Sequence, residues 1–113
     1  MQVGELVKKL GLEEVQPLLQ DQPIQGGYTS DLLSDVMAHA QAGQVLITIQ
    51  AHKNTIAVAG LIGIPAIIIA NNRPLPEDMI EAARKEQIGL FRSGENQFIL
   101  SGKLFQILYP NPV

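Results

Sequence analysis

The sequence contains no cysteine, which excludes disulfide bonds, thiolate nucleophiles and cysteine-ligated zinc or iron–sulfur sites. Aromatic residues are scarce, at 4%, so a hydrophobic core has to be built mainly from Ile, Leu, Val and Ala. Charged residues make up 17% of the chain, and the formal net charge is only -3. The chain therefore lacks the basic stripe and the interleaved aromatic side chains with which proteins bind nucleic acids.

Sequence motifs that carry catalysis are missing as well. The chain has no Gly-x-x-x-x-Gly-Lys-Ser/Thr phosphate loop, no Gly-x-Gly-x-x-Gly and no Gly-x-Ser-x-Gly. Its two histidines, His39 and His52, lie on different predicted elements, which argues against a histidine-ligated metal. Asp31 and Asp35 are one helical turn apart but offer a cation only two carboxylates. We predict no catalytic residue and no metal site, and the sequence identifies no cofactor.

Helical and strand patterns alternate along the chain. The predicted elements are a helix over 3–10, a helix capped by Ser30, a strand over 45–49, a helix over about 55–62, a strand over 66–70, a helix opened by Pro74 and Pro76, a strand over 88–91, and a helix capped by Ser93 that ends before Pro110 and Pro112. The residues between 54 and 72 carry no charge, but Gly60, Gly63 and Pro65 divide them. That division predicts a buried helix and a buried strand rather than a membrane span.

Continuous apolar strands such as 66–70 are typical of a sheet covered by helices on both faces. The strand–helix–strand alternation favours right-handed crossovers between parallel strands. We therefore predict one α/β domain over residues 1–113, with three layers and a mostly parallel sheet of about four to five strands flanked by helices. The first residues show no basic region followed by an apolar run, so the expected location is the cytoplasm.

Polar residues follow the predicted strands, and ligands of open α/β sheets collect outside the carboxyl ends of the strands. Residues 26–31 follow a first short segment, 50–54 follow the strand over 45–49, and Asn71 follows the strand over 66–70. The predicted ligand-binding residues are Gly26, Gly27, Ser30, Asp31, Gln50, His52, Asn54 and Asn71.

Several of these residues also have purely structural interpretations. The pair Gly26-Gly27 fits a tight turn, and Ser30 fits a helix cap. Asn71 suits a loop with left-handed backbone angles. His52 is either an ordinary exposed histidine or a functional group, because histidine changes charge near neutral pH.

Three segments together resemble the DRTGG domain family, over about residues 26–108: GGYTSDLLSDV at 26–36, VLITIQ at 45–50 and AIIIAN at 66–71. The resemblance implies a domain found beside CBS domains and inside some phosphate acetyltransferases, similar in fold to the amino-terminal domain of HPr kinase/phosphorylase. It implies a regulatory role, with catalytic motifs lying elsewhere in such proteins. The chain departs from the motif of the family name, because residues 48–52 read TIQAH and only Thr48 matches.

Residues and resemblance together predict a non-catalytic regulatory or interaction domain that senses a small ligand at the carboxyl edge of its sheet. One alternative is a nucleotide- or anion-binding protein, because helix starts near Ser30 and Asn54 offer backbone N–H groups close to Lys53, Arg73 and Arg92. Another is a small enzyme that uses His52 as acid or base. The predicted partners are a second copy of the chain in a homodimer, a protein partner or a small-molecule effector, with neither nucleic acid nor membrane.

Overall fold

The computed structural model describes residues 1–111, so Pro112, predicted to follow the last helix, lies outside the described residues. Helices and strands alternate through most of the chain. In order they are α1 (Val3–Leu10), β1 (Glu13–Gln16), β2 (Gly26–Thr29), α2 (Leu33–His39), β3 (Gln44–Thr48), α3 (Lys53–Ile62), β4 (Ala66–Ile69), α4 (Glu77–Glu86), β5 (Gly89–Arg92) and α5 (Gln97–Leu108). This is a single compact α/β domain, as the sequence predicts.

The five strands form one sheet in the order β1-β5-β4-β3-β2. The strands β2 to β5 are parallel, and neighbours along the chain are neighbours in the sheet. The strand β1 pairs antiparallel with β5, where Glu13 lies opposite Arg92. The two edges of the sheet are thus β1 on one side and β2 on the other.

Two hydrophobic clusters cover the two faces of the sheet. On one face α2, α3 and α4 pack through Val36, Ile56 and Met79. On the other face α1 and α5 pack through side chains such as Leu6 and Leu104. The strand β4 supplies both clusters, because its successive side chains alternate between the faces and all four are buried. The three-layer prediction is confirmed.

Two predicted helix caps were placed too early in the sequence. The helix α2 begins at Leu33, and the Ser30 hydroxyl accepts the N–H of Leu32 at 3.2 Å in the turn before it. The helix α5 begins at Gln97 and is capped by Asn96, which accepts the N–H of Ile99 at 2.9 Å. In both cases the serine lies in the loop that leads from a strand to the helix.

The stretch Gly26-Gly27 forms no turn. Both residues belong to β2, and neither has a positive φ angle. The strand β1 was not predicted at all, because EEVQ is short, polar and partly exposed and carries no apolar alternation. The structure thus has a polar antiparallel strand at one edge of the sheet and a glycine-containing strand at the other.

Candidate functional site

The strand order places the loops after the parallel strands in a row along the carboxyl edge of the sheet. Ser30 and Asp31 follow β2, Gln50 and His52 follow β3, and Asn71 follows β4. Adjacent strands lie about 4.8 Å apart, so these loops are neighbours. We call the residues of these loops the carboxyl edge.

Gly26 and Gly27 are not part of the carboxyl edge. They begin β2, and Ser30 follows Gly26 by four positions of extended chain, a span of about 13 Å. The eight predicted ligand-binding residues therefore fall into two groups. Six lie in or next to the edge loops, and the two glycines lie at the other end of β2.

Asp31 is the most connected side chain of the carboxyl edge. Its Oδ1 accepts hydrogen bonds from the Thr48 hydroxyl at 3.0 Å and from the Ile49 N–H at 2.9 Å. Its Oδ2 accepts one from Nε2 of Gln97 at 3.0 Å. The carboxylate therefore joins the loop after β2 to the end of β3 and to the first residue of α5.

The environment of Asp31 favours its ionised form. Burial raises the pKa of the carboxyl, but the hydrogen bonds outweigh it, beginning with the one from the Ile49 N–H. The positive charge of Arg73 acts in the same direction. The net result is a pKa of Asp31 below its ordinary value, so the group is a carboxylate at neutral pH and a poor general acid.

Asp35 lies in the first turn of α2, four residues after Asp31, and takes part in a separate hydrogen-bond network. Its Oδ2 accepts a hydrogen bond from the Tyr28 hydroxyl at 2.8 Å, and its Oδ1 lies 3.1 Å from Nδ1 of His39. The Tyr28 bond is the main reason why the pKa of Asp35 is lowered and the pKa of Tyr28 is raised. Among the described residues, no group of three Asp, Glu or His side chains converges in a way that could hold a metal ion.

His52 caps the helix α3. Its Nδ1 accepts the N–H of Asn54 at 3.0 Å, and its own backbone is extended, as is usual at an N-cap. Below it, the Thr55 hydroxyl donates to the carbonyl of Gln50 at 2.8 Å. With Nδ1 engaged in the cap, only Nε2 of His52 is left to contact a ligand.

Replacing His52 with alanine is expected to lower the free energy of unfolding by about 1 kcal/mol, because the first turn of α3 loses its side-chain cap. Replacing it with aspartate is expected to restore most of this loss, since aspartate also accepts the N–H and suits a helix N-terminus. Urea unfolding of the two variants measures the difference. Equal stability of His52→Ala and the unchanged protein would show that the cap contributes nothing.

The loop between β5 and α5 closes over the carboxyl edge. The helices α4 and α5 lie on opposite faces, so a crevice is expected where their loops leave the neighbouring strands β4 and β5. Backbone hydrogen bonds cross this place, from Asn71 N–H to the carbonyl of Glu95 at 3.0 Å and from Asn72 N–H to the carbonyl of Ser93 at 2.8 Å. Asn71 and Asn72 both have left-handed backbones, with φ of 60° and 51°. The loop after β4 is thus hydrogen-bonded to the loop after β5 across the place where a crevice is expected.

The cations near the carboxyl edge differ in their partners. Arg92 is bound in bidentate fashion to Glu13 of β1, with its Nη2 at 2.9 and 3.1 Å from the two carboxylate oxygens. Lys53 and Arg73 are exposed, and within residues 1–111 neither forms an ion pair. Of the three cations in the anion-binding hypothesis, these two therefore remain available at the edge.

A cleft lies beside β2, the strand at one side of the sheet, between this strand and α5. Its volume is about 470 Å³, and Gly26 and Gly27 are among the residues that line it. Gly27 permits the close approach of α5, because a Cβ atom there would lie 2.5 Å from Cδ2 of Leu104. The cleft leaves no signal in the sequence, since its residues come from three distant parts of the chain.

No protein family and no curated protein matches the sequence. The fold is similar to a crystal structure of the CBS and DRTGG domains of the regulatory region of Clostridium perfringens pyrophosphatase, complexed with its activator diadenosine tetraphosphate. The likeness is one of fold. The TM-score is 0.76 at 14% sequence identity, and the match covers 92% of this chain and 46% of that chain. This chain thus spans about half of the length of its structural neighbour.

The structural neighbour is a regulatory region that binds a nucleotide activator. Its DRTGG domain is of the type that the segments at 26–36, 45–50 and 66–71 resemble, so the resemblance and the fold likeness agree. In the described part of the chain, no helix has the length and apolar character needed to cross a membrane.

Proposed function

We propose that this chain is a non-catalytic regulatory domain of the DRTGG type, which binds a small anionic ligand at the carboxyl edge of its sheet. Nucleotides and other phosphate-bearing molecules are the ligand class with the best support. The observation that carries the proposal is a pair of exposed cations, Lys53 and Arg73, which form no ion pair among the described residues and lie at an edge whose loops Asp31 joins to α5.

The charge of the edge favours an anion. Arg92, Asp31 and Asp35 are engaged in bonds within the protein, whereas Lys53 and Arg73 stay exposed and without an ion pair among the described residues. Lys53 is also the first residue of the ten-residue helix α3, whose N-terminus carries a partial positive charge. A phosphate group placed there gains from both charges.

The Asp31 hydrogen bonds provide a route from binding to regulation. An anion that moves the loop after β3 displaces the Ile49 N–H, which Asp31 accepts, and Asp31 also holds Gln97 at the start of α5. A change at the edge therefore reaches the face of the sheet that carries α5. Regulation requires that the ligand bind with different affinity to two conformations of the domain, which here would differ in the position of α5.

The proposal is tested by calorimetric titration with diadenosine tetraphosphate, ATP, AMP, coenzyme A, acyl phosphates and inorganic pyrophosphate. At about 100 times its dissociation constant, a bound ligand should raise the free energy of unfolding by about 2.7 kcal/mol. The double variant Lys53→Gln, Arg73→Gln is expected to weaken this binding about tenfold or more, because two charge-assisted contacts are lost.

Lys85→Gln is the matched control. Lys85 is also an exposed lysine, but it lies in the last turn of α4, at the opposite end of the sheet from the carboxyl edge. Its replacement should leave anion binding unchanged. Equal weakening by both sets of changes would indicate unspecific attraction, and the absence of binding by every anion would overturn the proposal.

The remaining parts of the proposal concern partners. We expect the domain to form a homodimer in the cytoplasm and to act on a partner protein, by the general frequency of symmetric homodimers and the resemblance to regulatory domains. The enzyme hypothesis has less support, because Nδ1 of His52 is used by the helix cap and Asp31 is held in its ionised form.

A further inference from the structure

The cleft between β2 and α5 differs from the carboxyl edge in its chemistry. Its volume of about 470 Å³ lies within the range of about 300–1,000 Å³ that is usual for small-molecule sites. Of the residues that the structure describes, no Asp, Glu, Lys, Arg or His lines it. A charged group inside would lose hydration without gaining an ionic partner, so the cleft suits a neutral molecule.

Three glutamine side chains give the cleft paired hydrogen-bonding groups. Gln25, Gln41 and Gln44 all line it, and each amide carries both a donor and an acceptor. The Oε1 of Gln44 already accepts the N–H of Gln41 at 2.7 Å, which leaves its NH₂ group for a ligand. Neighbouring donors and acceptors of this kind match a molecule with a similar alternating edge.

The strand β2 adds backbone hydrogen-bonding groups to the side of the cleft that the glutamines line. Among residues 1–111, it is the last strand on its side of the sheet and pairs only with β3. In a parallel pair, alternate residues direct N–H and C=O away from the partner strand, so part of the β2 backbone faces outward. At the end of this wall, the hydroxyls of Thr29 and Ser101 lie 2.7 Å apart and share one hydrogen bond.

The helix α5 supplies the apolar wall. Phe105 and the adjoining Tyr109 line the cleft, with ring centroids 4.9 Å apart and planes inclined by 46°. Both rings are about half exposed, at 55% and 49%. Two exposed rings beside amide groups are suited to a flat molecule, which stacks on the rings and bonds through its edge.

We propose that this cleft binds a neutral planar heterocycle of the nucleobase class. Such a ring carries donors and acceptors along its edge for the glutamine amides and the β2 backbone, and a face for Phe105 or Tyr109. This site is distinct from the anion site at the carboxyl edge, and it needs no phosphate group.

The test uses nucleosides, which lack phosphate. Adenosine, guanosine, cytidine and uridine are titrated separately into the ¹⁵N-labelled protein, and amide chemical shifts are followed by NMR. Shifts should concentrate at Gly26, Gly27, Gln44 and the last two turns of α5. Ribose 5-phosphate, which has the sugar and phosphate but no base, should leave these shifts unchanged.

Variants separate the cleft from the rest of α5. Phe105→Leu combined with Tyr109→Leu is expected to weaken nucleoside binding about tenfold, the usual effect of losing a stacked aromatic ring. Phe98→Leu is the control, because Phe98 is 83% exposed on the same helix but does not line the cleft. Lys53→Gln should also leave nucleoside binding unchanged, which distinguishes this site from the anion site.

Three results would overturn the inference. The first is an absence of shifts with every nucleoside at millimolar concentrations. The second is equal weakening by Phe98→Leu and by the double variant. The third is a change of the cleft shifts with protein concentration alone, which would show that a second copy of the chain covers the cleft.

Discussion

Replacing Asp31 with alanine is expected to lower the free energy of unfolding by about 3 kcal/mol, a loss of roughly 10–15 °C in Tm for a domain of this size. Three donors lose their acceptor at once, and one of them belongs to Thr48, which is fully buried. A buried donor without an acceptor costs about 1–3 kcal/mol. Urea unfolding followed by circular dichroism measures the effect.

The pH dependence of the stability of Asp31→Ala tests whether the loss of the ionised carboxylate causes the loss of stability. Because the pKa of Asp31 is lower in the folded protein, its contribution to stability is complete above the pKa of the unfolded chain and is lost as the pH falls through the folded value. The stability difference between the two proteins should therefore be constant near neutral pH and shrink below about pH 4. Asp78→Ala, which removes an exposed carboxylate from the start of α4, should show a much smaller effect. A difference that does not change with pH would contradict the role of the ionised carboxylate.

Replacing Gly27 with valine is expected to lower the free energy of unfolding by about 2 kcal/mol through overpacking. A Cβ at this position would lie 2.5 Å from Cδ2 of Leu104, so the Leu104 side chain, which is 3% exposed and lines the cleft, or the helix α5 itself has to shift. Valine itself is favourable in a strand, so any loss of stability arises from the contact with α5. Chemical denaturation again measures the change.

Gly102→Ala is the matched control for this prediction. Gly102 lies within α5, and a Cβ there would meet nothing within 4 Å. Alanine is a better helix former than glycine, so this variant is expected to be more stable by about 0.5–1 kcal/mol. If Gly27→Val lowers and Gly102→Ala raises the free energy of unfolding, the requirement for glycine lies at the contact between β2 and α5. Wild-type stability of Gly27→Val would show that α5 can move away from β2 at little cost.

The central part of the fold could be predicted because its signals are local. The strand β4 was predicted within one residue, since the five consecutive aliphatic residues between Pro65 and the asparagines leave few other structures. The helix α1 was predicted at both ends from its apolar spacing and from Gly11, whose φ of 61° ends the helix. Such signals depend on neighbours within one turn or one strand.

The edges of the sheet could not be predicted in this way. The strand β1 is held by its pairing with β5 and by the Glu13–Arg92 ion pair, whose residues are 79 positions apart. The pair Gly26-Gly27 was interpreted as a turn, although β3 holds both residues in a strand and the close approach of α5 requires Gly27 to lack a side chain. The strands β1 and β2 therefore form because of contacts with residues that are distant in the sequence.

The candidate site was predicted only in part for the same reason. Strand ends identified the carboxyl edge, and the structure brings Ser30, Gln50 and His52 to neighbouring loops there. No local pattern indicates that Gln97 bonds to Asp31 or that the loop after β5 bonds to the loop after β4. Asp31 and Asp35 are four residues apart, and the structure gives each a separate set of hydrogen-bond partners.

The strand order has a consequence for how the chain assembles. Each parallel strand after β2 joins the strand that precedes it in the sequence, so the sheet from β2 to β5 grows by closing one helix-containing crossover at a time. The helix α5 must instead return to the first of these strands, and the bond between Asp31 and Gln97 spans 66 positions. This closure carries the largest entropy cost of the parallel unit. Any molecule bound between β2 and α5 adds its binding free energy to the step that locks the two ends of this unit together.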